Sequence, residues 1–329
     1  MVKICWKIVL CMFFSIVFTF ILTGNGYAGS MTLKMGTVVN DSHPNTIAMV
    51  RFGQLVAQRT NGEINIKVYP SSQLGGEKEM AEGIRLGSVQ GAIINVSVLS
   101  GWVPEGQIFD MPFIFRNDDH AYNVYQGPIG KELARKYEPH GFHVLGYWVN
   151  GVRHPMGKFA IRKPSDVAGK KMRVIQSPLH IDVWKTVGAN PSPISWPEVP
   201  NSLQTGVIDF LDNSKSSYWS AKLFEVADHF TELGHIYSVG ALIVGTKVWD
   251  KMSYTQQVAF EKSADEIVPF QNNLLGYNDD LALAKAVAKG ATVHRPEKGP
   301  WAKAMLPIWQ QWAPKVGGMK MIKKIVDTK

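Results

Sequence analysis

The residues best placed to do chemistry are two arginines set in apolar sequence in the second half of the chain. Arg173 lies within Lys171-Met172-Arg173-Val174, a short strand pattern, and Arg153 follows Gly151-Val152 after a strand pattern ending at Asn150. A guanidinium inside an apolar strand is costly to desolvate unless an anion pairs with it. Two partners fit. One is a nearby Asp or Glu, giving a structural salt bridge; the other is a ligand carboxylate, which a planar fork holds through two parallel hydrogen bonds. Arg153, next to a glycine at a strand end, is expected to be the more mobile and better solvated of the two.

Other chemistries lack parts. The closest of the nine histidines, His140 and His143, form an H-x-x-H with no Cys or carboxylate at ligand spacing, so no metal site is expected. The nucleophile elbow G-x-S-x-G, the zinc motif H-E-x-x-H and the phosphate-binding P-loop do not occur. Gly24, Gly26 and Gly29 spell G-x-G-x-x-G, but before every predicted strand, where it cannot cradle a dinucleotide. Asp212, Glu198 and Glu225 are scattered carboxylates, expected to be solvated or to cap helices. Neither an enzyme nor a cofactor is indicated.

The N-terminus has its own logic. Lys3 and Lys7 precede an apolar run from Ile8 to Leu22, and Gly26 and Ala28 stand at −3 and −1 to a cut after Ala28. This reads as a signal peptide over residues 1–28, because a bilayer span needs about 20 apolar residues and the run is shorter. Asn25, rather than Cys, follows Gly24, which argues against a lipid anchor. Both cysteines, Cys5 and Cys11, fall in the leader, so the mature chain has no disulfide and no thiolate site. Removing Lys3 and Lys7 lowers the net charge from +8 to +6 without leaving any dense basic run. Nucleic acid is thus an improbable partner, and small anions are a better one.

The elements that must position the arginines follow from periodicity. Strand patterns at Met31 to Val38, Ile64 to Tyr69 and Gly91 to Asn95 alternate with helices at Pro44 to Thr60 and Glu77 to Leu86, an order that predicts a helix-covered parallel sheet. Two short helices over Asp118 to Tyr137 and a strand from His143 to Asn150 follow. A second α/β set has strands at Lys171 to Val174, Pro191 to Ile194 and Val207 to Leu211, with a helix opened by Ser177-Pro178 and closed by Gly188. A helix from Ser253 to about Lys289 is too long for one small domain and should run between two. The 329 residues suit about two domains.

Several stretches resemble one family. Lys171-Met172-Arg173-Val174-Ile175-Gln176-Ser177-Pro178, Gly188-Ala189-Asn190-Pro191, Leu203-Gln204-Thr205-Gly206-Val207-Ile208-Asp209 and Ser220-Ala221-Lys222-Leu223-Phe224-Glu225-Val226 are similar to the central signature of the substrate-binding proteins of tripartite ATP-independent periplasmic (TRAP) transporters. Tyr69-Pro70-Ser71-Ser72-Gln73-Leu74-Gly75 and Asp110-Met111-Pro112-Phe113-Ile114-Phe115 agree with it in the first half. The resemblance covers residues 31–320.

It implies a two-lobed α/β periplasmic binding protein with crossing strands, a long interlobe helix and a cleft that closes on its ligand. The lobes would comprise residues 29–150 with about 238–279, and 151–237 with about 280–329. By match to the motif, Arg173 would bind the ligand carboxylate, Arg153 would be a second cationic contact and Asn213 a hydrogen-bonding partner. Asn95 would offer a polar contact from the first lobe, and Trp196 would flank the ligand or belong to the core. The implied protein is a periplasmic monomer that needs no cofactor or metal. It would deliver an organic acid (sugar acid, dicarboxylate, hydroxy, keto or aromatic acid) to sodium-coupled TRAP permease subunits; the alternative is a ligand-sensing partner of a membrane receptor. Two departures from the family pattern bear on the ligand: Leu211-Asp212-Asn213-Ser214 replaces Gln-Glu-Asn-Pro, and Pro200 replaces Tyr. Lys215, Tyr218 and Trp219 are expected to give the pocket a cationic, aromatic edge.

Overall fold

Three strands and two helices at the start of the chain form as their patterns predict. The computed structural model describes residues 30–329, so the leader and its cleavage site lie outside the described residues. Strand β1 (Met31–Gly36) lies parallel to β2 (Ile64–Tyr69) and to β3 (Gly91–Asn95). The helix Pro44–Arg59 buries Ala48, Phe52, Leu55 and Val56 on one face. Its N-cap is His43, whose Nδ1 accepts from the Asn45 N–H at 3.2 Å. Helix Glu77–Leu86 ends where Gly87 takes φ 92°, a left-handed turn that glycine adopts without Cβ strain.

The next strand departs from expectation. The strand predicted to stop at Asn150 is β4 (Phe142–Gly157), 16 residues long, with Arg153 inside it. It pairs antiparallel with β9 (Ile236–Gly245) and, from His154 onward, with β7 (Phe210–Asn213). A register shift between Val149 and Gly151 absorbs one extra residue, and Gly151 accommodates it at φ 95°. The strand therefore bends and continues where the glycine suggested an end. Strands β5 (Lys171–Val174) and β6 (Asn190–Pro193) extend the sheet in the order β2-β1-β3-β9-β4-β7-β5-β6, with β8 (His229–Thr231) and β10 (Thr292–His294) beside it. The strand expected at Val207 to Leu211 is shifted to Phe210–Asn213, because Val207 sits in the turn after Gly206 and is 57% exposed.

Two α/β lobes result, both built on the crossing strand β4. The long helix, Tyr254–Ala288, opens on a Ser253/Gln256 capping box and packs against the helix Pro44–Arg59, β4 and the helix Lys215–Ser220. Short helices beyond Lys289 seat Trp301 and Trp312 in the core, and Arg116 donates to the carbonyls of Val326 and Thr328 near the C-terminus. Among the described residues no helix is long and apolar enough to cross a membrane.

The bulge in β4 is a stringent feature. A Cβ on Gly151 would lie 2.4 Å from the Ser214 Cβ, at a φ that L side chains rarely adopt. Gly151→Ala is expected to destabilise the protein by roughly 2 to 4 kcal/mol in urea unfolding, with strain and clash acting together. A loss no larger than that of an ordinary surface substitution would contradict this reading of the bulge.

Candidate functional site

Alternation along the strands turns the polar residues toward one space. In β5, Met172 and Val174 are fully buried in the core, while Arg173 between them points the other way. In β4, Asn150 and Arg153 line the same space, the Gly151 bulge keeping them on one face. Asn95 ends β3, Asn213 ends β7, and Trp196 opens a short turn after β6. All five residues expected in the site, Arg173, Arg153, Asn213, Trp196 and Asn95, line one cavity. It offers about 60 Å³ to the centres of water-sized molecules, room for a compact solute. The two halves of the chain also touch directly: His43 and Ser217, both in the cavity wall, lie 3.4 Å apart from Nε2 to hydroxyl, and the Asn40 Nδ2 donates to the Ser220 carbonyl at 2.7 Å.

The two arginines differ in one respect that matters. Arg153 is 3% exposed and paired within the protein: its Nη2 donates to the Asp212 Oδ1 at 2.6 Å and to the Asp212 carbonyl at 2.7 Å, while its buried Nε has no partner among the described residues. The expectation of a mobile, solvated Arg153 is thus corrected, because β4 carries it into the sheet beside β7. Asp212 is likewise neither solvated nor a cap. Its other oxygen receives His235 Nε2 at 3.0 Å and the Trp184 indole N–H at 3.4 Å. Burial would raise its pKa, but Arg153 and the His235 hydrogen bond outweigh burial and hold it well below the carboxylate range.

Arg173 is equally buried, at 3%, yet among the described residues no carboxylate pairs with it. Its Nε donates to the Ile194 carbonyl at 2.9 Å, which fixes the fork, and its guanidinium carbon lies 5.7 Å from the centre of the Trp196 ring. Burial, reinforced by the neighbouring Arg153 charge, pushes its pKa down to about 10, against the pull of Asp212 and Glu77. It remains charged at neutral pH. The salt-bridge alternative for Arg173 is not what the structure holds.

Other wall residues escaped the sequence reading. Glu77 lines the cavity and accepts the Asn95 N–H at 2.7 Å; burial raises its pKa, while that hydrogen bond, Arg173 and Arg153 act in the opposite sense. As an acid in the first turn of a helix it had an ordinary explanation, and only tertiary contact reveals its place. Asn95 itself is held at both ends, donating to the Ser238 hydroxyl at 2.6 Å and accepting from the Ser97 N–H at 3.0 Å. Asn213 accepts from the Ser214 N–H at 2.8 Å, which leaves its amide protons without a protein partner among the described residues. Asn150 accepts from the Asn45 amide, which in turn accepts from Gln271 of the long helix.

The expected cationic, aromatic edge does not exist. Lys215 pairs with Glu232 at 3.0 Å and Asp280 at 3.1 Å, away from the cavity. Tyr218 is buried and donates to the Ala227 carbonyl, and Trp219 stacks on Phe224. Of the H-x-x-H pair, His143 contacts Glu138 at 2.6 Å and stacks on Trp249.

A cavity between two α/β lobes on shared crossing strands, walled by fixed polar groups, is the architecture of a cleft-type solute-binding protein. Residues 35–315 match the bacterial extracellular solute-binding protein family 7, and the chain belongs to that family. It is similar to the 2,3-diketo-L-gulonate-binding periplasmic protein YiaO of Escherichia coli, with 32% identity over 247 residues, 75% of each chain. The C4-dicarboxylate-binding periplasmic protein DctP of Rhodobacter capsulatus is 30% identical over 295 residues, 88% of this chain and 89% of that one. The crystal structure of a TRAP periplasmic solute-binding protein from Polaromonas sp. JS666, bound to D-erythronate, superposes with a TM-score of 0.89 at 30% identity, covering 91% and 99% of the two chains. The resemblance to TRAP substrate-binding proteins is thereby borne out; this is a family of transport binding proteins.

The buried histidines set an acid limit on the fold. His43, 1% exposed, has its pKa pushed down to about 3 by burial, and burial also lowers His154 and His235. Each is folded neutral, and the unfolded chain binds its protons near pH 6.5. The stability is therefore complete above that pH and is lost as pH falls toward the folded value. His43 alone should remove roughly 2 kcal/mol between pH 7 and pH 5. His43→Asn keeps an N-cap acceptor and should flatten urea-derived stability over that interval by about this amount; an unchanged slope would contradict it.

Proposed function

We propose that this protein captures a small hydroxylated organic acid outside the cytoplasm and hands it to a TRAP permease. One observation carries the reading: the Arg173 fork is buried in the cavity wall, fixed through its Nε and, among the described residues, paired with no carboxylate. Such a group is suited to a ligand carboxylate held through two parallel hydrogen bonds. Arg153, neutralised by Asp212, tunes the wall more than it anchors the ligand. Trp196 supports the Arg173 plane, and Asn213 and Asn95 supply the polar rim.

Glu77 favours a hydroxy acid over a plain dicarboxylate. A carboxylate in the cavity accepts hydrogen bonds from hydroxyls and repels a second ligand carboxylate, whereas the Asn213 amide donates to hydroxyl oxygens. The D-erythronate bound by the Polaromonas protein has this pattern, one carboxylate and several hydroxyls. The rest of the reading follows the same logic. Residues 1–28 are removed on export and the mature chain starts near Gly29. The lobes comprise 29–150 with about 238–279 and 151–237 with about 280–329, and hinge open at the crossing strands to admit the ligand. The protein works as a monomer, and no reaction is catalysed.

Calorimetry with D-erythronate and succinate tests the reading. D-erythronate is expected to bind the more tightly, and Glu77→Gln should narrow the gap. Removing one partner of a desolvated charge pair costs on the order of 2 to 5 kcal/mol, so Arg173→Ala should weaken binding by roughly 30-fold to several thousand-fold. Arg173→Lys should recover little, since an ammonium cannot make the paired bonds. Succinate binding the more tightly would overturn the hydroxy-acid assignment. Binding of Arg173→Ala within about threefold of the parent protein would overturn the anchor.

A further inference from the structure

The face of β4 opposite the ligand cavity carries a second, larger one. Asn150 and Arg153 face the first; Val149, Val152 and His154 line the second, which offers about 590 Å³ on the same measure. Its other walls come from the start of the helix Asp118–Gln126 and from the long helix between Pro269 and Asp280. The family reading of the cleft assigns nothing to this space.

Its charge is unbalanced. The single lysine in the wall, Lys215, is already held by Glu232 and Asp280. Asp118, Asp119 and Asp279 also line the wall, and among the described residues none of them has a cationic partner within ion-pair distance. Each has a local role: Asp118 and Asp119 lie in the first turn of their helix, and Asp279 accepts from the Ser216 N–H and hydroxyl. None of those roles neutralises the charge. Asp279 feels the imbalance, its pKa pushed up to about 6 by burial and further by Asp118, against the Ser216 hydrogen bonds and Lys215.

One hydrogen-bond donor in the same wall is unmatched among the described residues. His154 is 93% buried, being 7% exposed, and its Nδ1 accepts from the Gly234 N–H at 3.2 Å. The neutral ring thus carries its proton on Nε2, which has no partner among the described residues. Tyr122 adds an aromatic ring. A bare cation would answer the carboxylates but not the His154 donor, and a neutral polar molecule would answer only that donor.

We infer that this cavity is a second binding site, for an organic cation (an ammonium or guanidinium) that carries an oxygen acceptor close by. The carboxylates of Asp118, Asp119 and Asp279 take the cation over the Tyr122 ring, and His154 donates to the oxygen. Basic amino acids have this arrangement, whether as a free amide or as a residue within a partner's chain. The inference is independent of what the cleft binds.

Calorimetry on the mature chain at low salt, with L-argininamide and with the peptide acetyl-Gly-Arg-Gly-amide as probes, tests it. Saturable binding of either is expected, weakened by about tenfold or more in Asp118→Asn and in Asp279→Asn, whose amide oxygen still accepts from Ser216. It should persist in Arg173→Ala, whose substitution lies on the other face of the sheet, and circular dichroism verifies that each variant is folded. Tighter binding of the peptide identifies the occupant as a basic segment of a partner protein, and tighter binding of argininamide identifies a free cation. No saturable binding of either probe at millimolar concentration overturns the inference. So does binding that is unaffected by both Asn substitutions, or that disappears with Arg173→Ala.

Discussion

One buried carboxylate stands beside two buried guanidiniums, and the rest of the site follows from how it is shared. Asp212 is fully buried and gives one oxygen to Arg153 and the other to His235 and Trp184, and neither oxygen pairs with Arg173. The pair Arg153–Asp212 is compensated and can be dried out with the sheet around it. Arg173 is dried out by the same packing, and among the described residues no carboxylate lies within ion-pair distance of it, although Asp212 and Glu77 act on its charge from farther away. A fold that leaves one cation in that condition has stored an affinity for anions, at the expense of its own stability when empty.

That division depends on strand geometry. Asp212 stands opposite Pro155 in the β4–β7 register, which makes Arg153 its diagonal neighbour on the same face. Arg153 reaches that register only because Gly151 absorbs one residue at the bulge; without it every later side chain of β4 would turn to the opposite face. The bulge also keeps Asn150 in the ligand cavity and His154 in the cavity behind it. A single crossing strand thus separates two polar spaces, one with an arginine that no carboxylate pairs and one with unpaired carboxylates.

Much of this was legible in the sequence, and the limits are physical. Arg173 stood out because a lone cation between Met172 and Val174 contradicts its strand. Its freedom from a salt bridge could not be read, since the competitor, Asp212, is 39 residues away in sequence and is claimed by another strand's arginine. Strand β9 was missed because it is buried almost throughout, which erases the alternation that marks a strand with one solvated face. Val207 was assigned to a strand because it is apolar, although the turn after Gly206 leaves it exposed. Lys215, Tyr218 and Trp219 were grouped with the pocket by nearness in sequence; the short helix Lys215–Ser220 turns them toward Glu232, Ala227 and Phe224 instead. Resemblance to known transport proteins supplied what pattern alone could not: the pairing of distant motifs around one cleft.

The central claim is that Arg173 is an uncompensated charge kept for a ligand. Thermal unfolding of Arg173→Met, with and without D-erythronate, tests it most directly. Methionine fills comparable space without a charge to desolvate. The account predicts that the empty variant melts above the empty parent protein, and that the acid, which raises the melting temperature of the parent, leaves the variant unmoved. A variant that melts lower than the parent, or that is still stabilised by the acid, would show that Arg173 holds the fold together and that the anion is bound by something else.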